Sequence, residues 1–162
     1  LINITDPDWL HIYAIDIAVH LSRAPRFGGA TKKPYSVAEH SVWCADMAIA
    51  KYPDDIKLPL KCLLHDAHEF LLCDVPSPVK NLMEGYEMLA GLLQNAINKR
   101  FGCKVEYADK AKIFEIDKQA LECEYANKVT RWAGLALTAE AAQLLFIDKL
   151  KALCKVPVVI AP

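Results

Sequence analysis

Residues 59–71 combine a helical pattern of apolar side chains with an unusual density of ionisable groups. The apolar positions are spaced so that they share one face of a helix, which is typical of a core-facing segment: Leu60, Leu63, Leu64, Ala67 and Leu71. Two histidines and three carboxylates occur within the ten residues that begin at position 65: His65, Asp66, His68, Glu69 and Asp74. Such groups seldom lie against a core unless they are paired or bind a metal. We therefore expect a helical protein with its reaction centre on this segment.

Helical patterns cover most of the remaining sequence, and Pro and Gly separate them. The pattern predicts a helix over residues 9–22 with Asp8 as its N-cap, and the Pro and Gly residues of 23–29 end it. Ser36 and Glu39 form a capping-box pattern at the start of a second helix, which runs to about residue 51. Pro59 suits the first turn of a third helix.

The second half of the chain predicts three more helices. They extend over residues 84–101, 107–132 and 138–150, with Gly102 and Gly134 as stop signals for the first two. Pro76 and Pro78 predict a turn before them, and residues 156–160 predict a short extended tail. No repeat or linker divides the chain. We expect one all-α domain over residues 1–162, a bundle of five to seven helices.

The composition excludes several classes of protein. A hydrophobic content of 54% is that of a folded chain, and a net charge of −1 argues against a nucleic-acid polymer or an anionic membrane surface as partner. No apolar run reaches the roughly 20 residues of a membrane span. The chain begins at Leu1, so we expect its native start to be missing. Six cysteines without a CxxC pair predict buried, reduced side chains and a cytoplasmic location.

A possible metal site emerges when the polar residues are placed on these helices. His40 lies one turn into the second helix, and His65 and Asp66 are adjacent on the third, where neighbouring side chains diverge by roughly 100°. Asp117 lies beside an apolar stripe of the fifth helix, although Asp109 occurs in a similar setting. Two imidazoles and two carboxylates from three helices can enclose one divalent cation. Spacing alone does not show that they converge.

The ordered set His40, His65-Asp66 and Asp117 resembles the H…HD…D pattern of the HD-domain metal-dependent phosphohydrolases. The flanking motifs resemble small bacterial and phage members: Arg26-Phe27-Gly28-Gly29, Tyr35-Ser36-Val37-Ala38-Glu39-His40-Ser41, His65-Asp66-Ala67-His68-Glu69 and Asp74-Val75-Pro76-Ser77-Pro78-Val79-Lys80. Those proteins are related to 5′-deoxynucleotidases, and some phage members resemble dNTP triphosphohydrolases, including ones that act on dATP. The similarity runs from about residue 12 to residue 125.

The resemblance implies a role for each matching residue. One divalent ion (Mn, Co, Fe, Ni, Zn or Mg) would be held by four ligands: His40, His65, Asp66 and Asp117. Glu69 would act as acid or base beside the attacking water, with Asp66 as the other catalytic carboxylate. Arg26 would bind phosphate, Phe27 would line the pocket and Asp74 would face the sugar hydroxyl. Apart from the resemblance, the negative charge of a phosphoryl transition state makes Lys80 a further candidate for the substrate site. Relatives often carry His where this chain has Ala30.

These observations favour a 5′-nucleotidase that acts on deoxynucleoside monophosphates. The first alternative is a dNTP triphosphohydrolase, which would need further cations such as Lys32 and Lys33. A module that binds nucleotides without turnover is a second alternative, and a structural helical protein is a third. We expect a nucleotide as the small-molecule partner, and assembly into a homo-oligomer through the helix over residues 84–101 or the last helix.

Overall fold

The computed structural model describes residues 2–128, 137–155 and 157–158. Eight α-helices lie in these residues: α1 (Ala14–Leu21), α2 (Val37–Lys51), α3 (Leu58–Leu63), α4 (Glu69–Leu72), α5 (Ser77–Lys80), α6 (Tyr86–Arg100), α7 (Tyr107–Lys128) and α8 (Ala139–Leu153). Two 3-10 helices precede α1 and α2, at Trp9–His11 and Arg26–Gly29. An isolated bridge between Pro25 and Ser36 is the only β-type pairing within the described ranges. The all-α prediction is confirmed.

The helix count exceeds the predicted five to seven because one predicted helix is broken in two and because α5 lies where only a turn was predicted, at Pro76 and Pro78. The continuous helix expected from residue 59 to residue 71 is wrong: α3 ends at Leu63, and residues 64–68 form turns before α4. The carbonyl of Cys62 accepts from the His65 side chain at 2.7 Å. The amide of Glu69 bonds three residues back, to Asp66, at 3.0 Å. Side-chain competition for backbone carbonyls of this kind disrupts the regular helical ladder.

Several predicted helix ends are confirmed by the capping contacts. Ser36 and Glu39 form the reciprocal capping box of α2, with the Ser36 amide donating to the Glu39 carboxylate at 2.9 Å. Asp8 caps the 3-10 helix at Trp9–His11, not α1 directly. Gly102 follows α6 with φ of 61°, the left-handed conformation that suits glycine. The predicted end of the fifth helix at Trp132 and Gly134 lies outside the described residues, as does most of the predicted extended tail.

Two apolar clusters hold the helices together. The larger is formed mainly by α1, α2, α6 and α8 with the residues that follow α3, and Phe146, Ile17 and Leu93 are fully buried in it. The smaller joins α2, α3 and α7, and four of its six buried side chains are small: Cys44, Ala48, Cys62 and Ala120, with Leu58 and Ile116. Because small side chains allow helices to approach closely, polar groups on α2, α3 and α7 can meet at the edge of this second cluster.

Two further observations bear on the sequence predictions. None of the helices in the described ranges has the length and hydropathy needed to cross a membrane. The six cysteines all fall in described residues and form no disulfide there; Cys44, Cys62 and Cys103 are buried, whereas Cys73 and Cys123 are exposed. The prediction of six buried cysteines was therefore right for only half of them.

Candidate metal centre

His40 projects from the first turns of α2 into the interior, where its side chain is fully buried. Its Nε2 atom lies 3.2 Å from Oδ1 of Asp117 on α7 and 3.7 Å from Oδ2 of Asp66. On the other side of the ring, Nδ1 lies 2.6 Å from Oε1 of Glu124. A carboxylate can only accept, so Nδ1 carries the hydrogen of this bond and Nε2 is left to face the two aspartates.

His65 and Asp66 lie in the turns between α3 and α4, and this irregular backbone brings the two adjacent side chains together. His65 Nε2 is 3.1 Å from Asp66 Oδ2 and 3.6 Å from Asp117 Oδ1. Nδ1 of His65 donates to the Cys62 carbonyl, which leaves a lone pair on Nε2 in the neutral ring. This buried Nε2 has no hydrogen-bond partner among the described residues. With Nδ1 held by a backbone carbonyl, Nε2 is available to coordinate a metal ion.

The electrostatics of this cluster favour positive charge. Burial alone would raise the pKa of Asp117, but the neighbouring imidazoles of His40 and His65 outweigh it and hold the pKa well below its usual range. Burial likewise opposes charge on His65, yet Asp66 and Asp117 raise its pKa well above the ordinary value. Carboxylates that raise the pKa of an imidazole by their charge also attract a metal cation, which competes with the proton for the same nitrogen.

Four ligand atoms from His40, Cys44, His65 and Asp117 all lie within 4.8 Å of one another, and this group can hold a metal ion. Three of these residues are sequence-predicted ligands. The fourth predicted ligand, Asp66, lies against both imidazoles at the distances given above. Cys44 was not predicted as a ligand; its position four residues after His40 on α2 was the available signal, since such residues share a helix face. Nitrogen, oxygen and thiolate donors together suit Zn²⁺ and neighbouring transition metals.

A cleft of about 770 Å³ opens beside the cluster and contains every residue predicted to bind substrate. Its lining includes Asp66, Glu69 and Asp117 together with the four substrate-site residues Arg26, Phe27, Asp74 and Lys80. Ala30 lines it as well, so the position where relatives often carry His faces the same space. The sequence-predicted metal and substrate residues therefore lie in one place, although they come from six different segments of the chain.

Arg26 is buried at the edge of this cleft and faces three carboxylates. Its Nη2 donates to Glu124 at 2.9 Å, and Nη1 lies 3.8 Å from Asp66 and 4.0 Å from Asp74. The Nε atom is buried without a hydrogen-bond partner among the described residues. Phe27 follows in a left-handed conformation, φ 57°, which is uncommon for a bulky residue and concentrates at functional sites. The Arg26 side chain thus keeps donor capacity at the cleft.

Glu69 and Lys80 form a pair on one wall of the cleft. Lys80 Nζ donates to Oε1 of Glu69 at 2.9 Å, whereas the buried Oε2 has no hydrogen-bond partner in the described part of the chain. Burial and the neighbouring charges of Asp66 and Asp74 raise the pKa of Glu69 to about 7, although Lys80 opposes this shift. A carboxylate that titrates near neutral pH is suited to acid–base catalysis.

The remaining candidate residues, Lys32, Lys33 and Asp109, do not line the cleft beside the cluster. Lys32 and Lys33 line a separate depression that contains none of the cluster residues. Asp109, the alternative to Asp117, lies 2.6 Å from Lys61 and accepts from the backbone amide of Glu106. A second cleft of about 820 Å³ borders His65 and Asp117 from the side of α6, and four lysines contribute to its lining: Lys61, Lys99, Lys104 and Lys110.

Sequence reasoning missed Glu124 entirely. This residue of α7 is 1% exposed and accepts hydrogen bonds from Arg26, Tyr35 and His40. Burial would raise its pKa, but His40 and Arg26 outweigh burial and hold the pKa at about 2. The available signal was its spacing of seven residues from Asp117, which places both carboxylates on one face of a helix.

Comparisons with known proteins leave the function open. No family model matches the chain. The uncharacterized protein YfdR of Escherichia coli is 33% identical over 100 residues, which cover 58% of this chain and 53% of YfdR. An uncharacterized protein of Rhodobacter capsulatus is 36% identical over 105 residues, which cover 62% of this chain and 54% of that protein. The chain spans about half the length of these curated relatives, and since neither is characterized, the similarity carries no function to this chain.

Proposed function

We propose that this chain is an HD-type, metal-dependent phosphohydrolase that cleaves deoxynucleoside 5′-monophosphates to a nucleoside and inorganic phosphate. The observation that carries the proposal is the meeting of His40, His65, Asp66 and Asp117 in one cluster, beside a cleft that Asp66, Asp117 and Arg26 line together. His65 Nε2 and Arg26 Nε are both buried without a hydrogen-bond partner among the described residues. Burying two such nitrogens costs stability, and a purely structural helical bundle would gain nothing in return.

The residues of the cleft divide the reaction between them. The cluster residues would hold a divalent ion, which would supply Lewis acidity and lower the pKa of a water molecule. Glu69, with one oxygen fixed by Lys80 and the other unpaired, accepts the proton of the attacking water. The water oxygen bonds to phosphorus as the bond to the 5′ oxygen breaks, and that oxygen leaves as the nucleoside hydroxyl with the proton that Glu69 accepted, which returns Glu69 to its ionised form. Arg26 stabilises the negative charge on the phosphoryl oxygens through its forked donors.

The nucleoside end of the substrate would occupy the outer part of the same cleft. Phe27 offers an aromatic face near Arg26, since the guanidinium carbon lies 5.6 Å from the ring centroid. Asp74, 4.0 Å from Arg26, offers a carboxylate acceptor for a sugar hydroxyl. The cleft thus offers an aromatic ring, a carboxylate acceptor and a cation for the base, sugar and phosphate of a nucleotide.

A triphosphohydrolase is the second candidate, and the lysine-lined cleft on the α6 side favours it. Asp117 lines both clefts, so a chain of phosphates crossing the cluster would meet Lys110, which carries no ion pair among the described residues. Lys61 and Lys104 in that cleft are already paired with Asp109 and Glu106. The second cleft therefore offers less free positive charge than its lysine content suggests, and we rank this candidate below the monophosphatase.

Product analysis tests the proposal. Protein loaded with Mn²⁺ or Co²⁺ is incubated with dNMPs, NMPs and dNTPs, and the products are separated by anion exchange. We expect nucleoside and orthophosphate from dNMPs, and none from an Asp66→Ala protein that excludes a contaminating phosphatase. Nucleoside plus intact triphosphate would establish the second candidate instead. Tight nucleotide binding without hydrolysis, with metal present in the protein, would contradict both and support a binding module.

Assembly into a homo-oligomer stays a prediction. Both helices predicted to mediate it expose large apolar side chains, with Met88 62% exposed on α6 and Leu144 61% exposed on α8. Light scattering of the purified protein would measure the oligomeric state directly.

A further inference from the structure

One buried carboxylate, Glu124, receives three hydrogen bonds from residues on both sides of the site. Oε1 accepts from Nδ1 of His40 at 2.6 Å and from the Tyr35 hydroxyl at 2.7 Å. Oε2 accepts from Nη2 of Arg26 at 2.9 Å. All four side chains are at least nine-tenths buried, so water competes little for these bonds. A single residue therefore contacts a metal ligand and the proposed phosphate-binding cation at once.

The bond to His40 has a consequence for metal binding. Glu124 fixes the hydrogen on Nδ1, so the lone pair of Nε2 is directed toward Asp117, 3.2 Å away. A carboxylate at this position also makes the imidazole a stronger base and holds the ring plane. Glu124 and Asp117 lie seven residues apart on α7, so the same helix face supports both nitrogens of one imidazole.

The bond to Arg26 has a consequence for the cleft. With Nη2 held by Glu124, Nη1 is left 3.8 Å from Asp66 and 4.0 Å from Asp74, beyond ordinary hydrogen-bond length. The buried Nε has no partner in the described residues. The guanidinium is anchored at one nitrogen and retains donors for a ligand oxygen, the condition for preorganised anion binding.

We propose that Glu124 is a positioning residue that sets both the tautomer of His40 and the orientation of Arg26. The affinity of the site for metal and its affinity for phosphate then depend on one carboxylate. The phosphate half rests on the proposed function, whereas the metal half rests only on the cluster geometry.

Glu124→Gln tests the inference with little change in side-chain volume. A glutamine has one carbonyl oxygen and one amide nitrogen, so it must turn a donor toward His40 and Tyr35 or toward Arg26. We measure Mn²⁺ binding by calorimetry, the visible spectrum of the Co²⁺-loaded protein, and binding of inorganic phosphate to the Mn²⁺-loaded protein. We expect Mn²⁺ affinity to fall about 10- to 100-fold, with a changed Co²⁺ spectrum and weaker phosphate binding.

Two further variants separate positioning from folding. Tyr35→Phe removes one of the three donors but keeps the His40 and Arg26 contacts, so its metal and phosphate affinities should stay within about threefold of wild type. Glu124→Asp keeps the charge and should fall between Gln and wild type, which provides the test if the Gln variant does not fold by circular dichroism.

The outcomes distinguish this inference from the proposed function. Wild-type Mn²⁺ and phosphate affinities in a folded Glu124→Gln protein, or in Glu124→Asp where Gln fails to fold, would overturn it. A wild-type protein that hydrolyses no nucleotide, combined with weakened Mn²⁺ binding in the variant, would refute the proposed function and leave the metal half standing.

Discussion

The segment 61–65 meets α7 twice, and the two contacts are chemically different. At the first, Lys61 lies 2.6 Å from Asp109; two turns further along α7, His65 lies 3.6 Å from Asp117. Burial would raise the pKa of Asp109, but the hydrogen bond from Lys61 and the amide of Glu106 outweigh it and lower the pKa. Lys61 therefore neutralises the charge of Asp109, so this contact needs no bound cation.

In the second contact, neither imidazole facing Asp117 carries a permanent positive charge. Asp117 and Asp66 face two imidazoles, which carry positive charge only when they are protonated. The same two segments thus form a structural ion pair in one place and, in the other, a group of side chains that can hold a metal ion. The comparison teaches that the partner of each aspartate, and not the helix that carries it, decides its role.

Replacing Asp117 and Asp109 one at a time should give the largest difference between the two contacts. We expect Asp117→Asn to lower Mn²⁺ affinity by roughly 100-fold or more and to abolish hydrolysis, since a ligand is lost. Asp109→Asn should keep metal affinity but lower the free energy of unfolding by about 2 kcal/mol, because Lys61 loses its partner at a site that is only a tenth exposed. Calorimetry and urea denaturation measure the two effects. The same loss of metal in both variants would contradict the distinction.

Asp66 and Cys44 are the two candidates for the fourth metal ligand, beside His40, His65 and Asp117. Asp66→Ala should abolish Mn²⁺ binding and activity while the circular dichroism spectrum stays helical, because Asp66 contacts both imidazoles. Cys44→Ala is the matched comparison: although Cys44 belongs to the group that can hold a metal, Mn²⁺ favours oxygen donors over a thiol, so its affinity should change by less than about threefold. If Cys44→Ala loses the metal and Asp66→Ala keeps it, the cluster uses the thiol and our ligand assignment is wrong.

Glu69→Gln should separate catalysis from metal binding. We expect Mn²⁺ affinity to remain and kcat to fall about 10²- to 10⁴-fold, the usual contribution of an acid–base group. Because the pKa of Glu69 is raised to about 7, its ionisation costs the fold stability as the pH rises from about 4.5 to about 7. The Gln variant should therefore be at least as stable as wild type above pH 7. A wild-type kcat would remove Glu69 from the mechanism.

Lys80→Met should have the smallest and most specific effect, a shift in the pH profile. Lys80 lies 2.9 Å from Glu69 and opposes the rise of its pKa, so its removal raises that pKa further. If Glu69 must be ionised to accept a proton, the acidic limb of kcat moves to higher pH, by at least about one pH unit. Lys33→Met, outside the cleft, is the control with no expected shift. An unmoved limb would mean that another group controls it.

Local patterns predicted the helices well where their ends carry specific chemistry. The capping box of Ser36 and Glu39 and the stop at Gly102 depend only on residues a few positions apart, and both are present. The helix predicted through 59–71 failed because the His65 side chain takes the Cys62 carbonyl, a competition that apolar periodicity does not report.

By itself, the sequence determined the all-α class and the residue types that gather in the cleft, since periodicity, caps and motif order are local properties of the chain. Tertiary structure alone decided that Asp117 faces the imidazoles while Asp109 pairs with Lys61, and that Glu124 joins His40 to Arg26. The physical reason is that these pairings join residues 48 to 98 positions apart. Their partners are selected by the close packing of α2, α3 and α7, which no local pattern encodes.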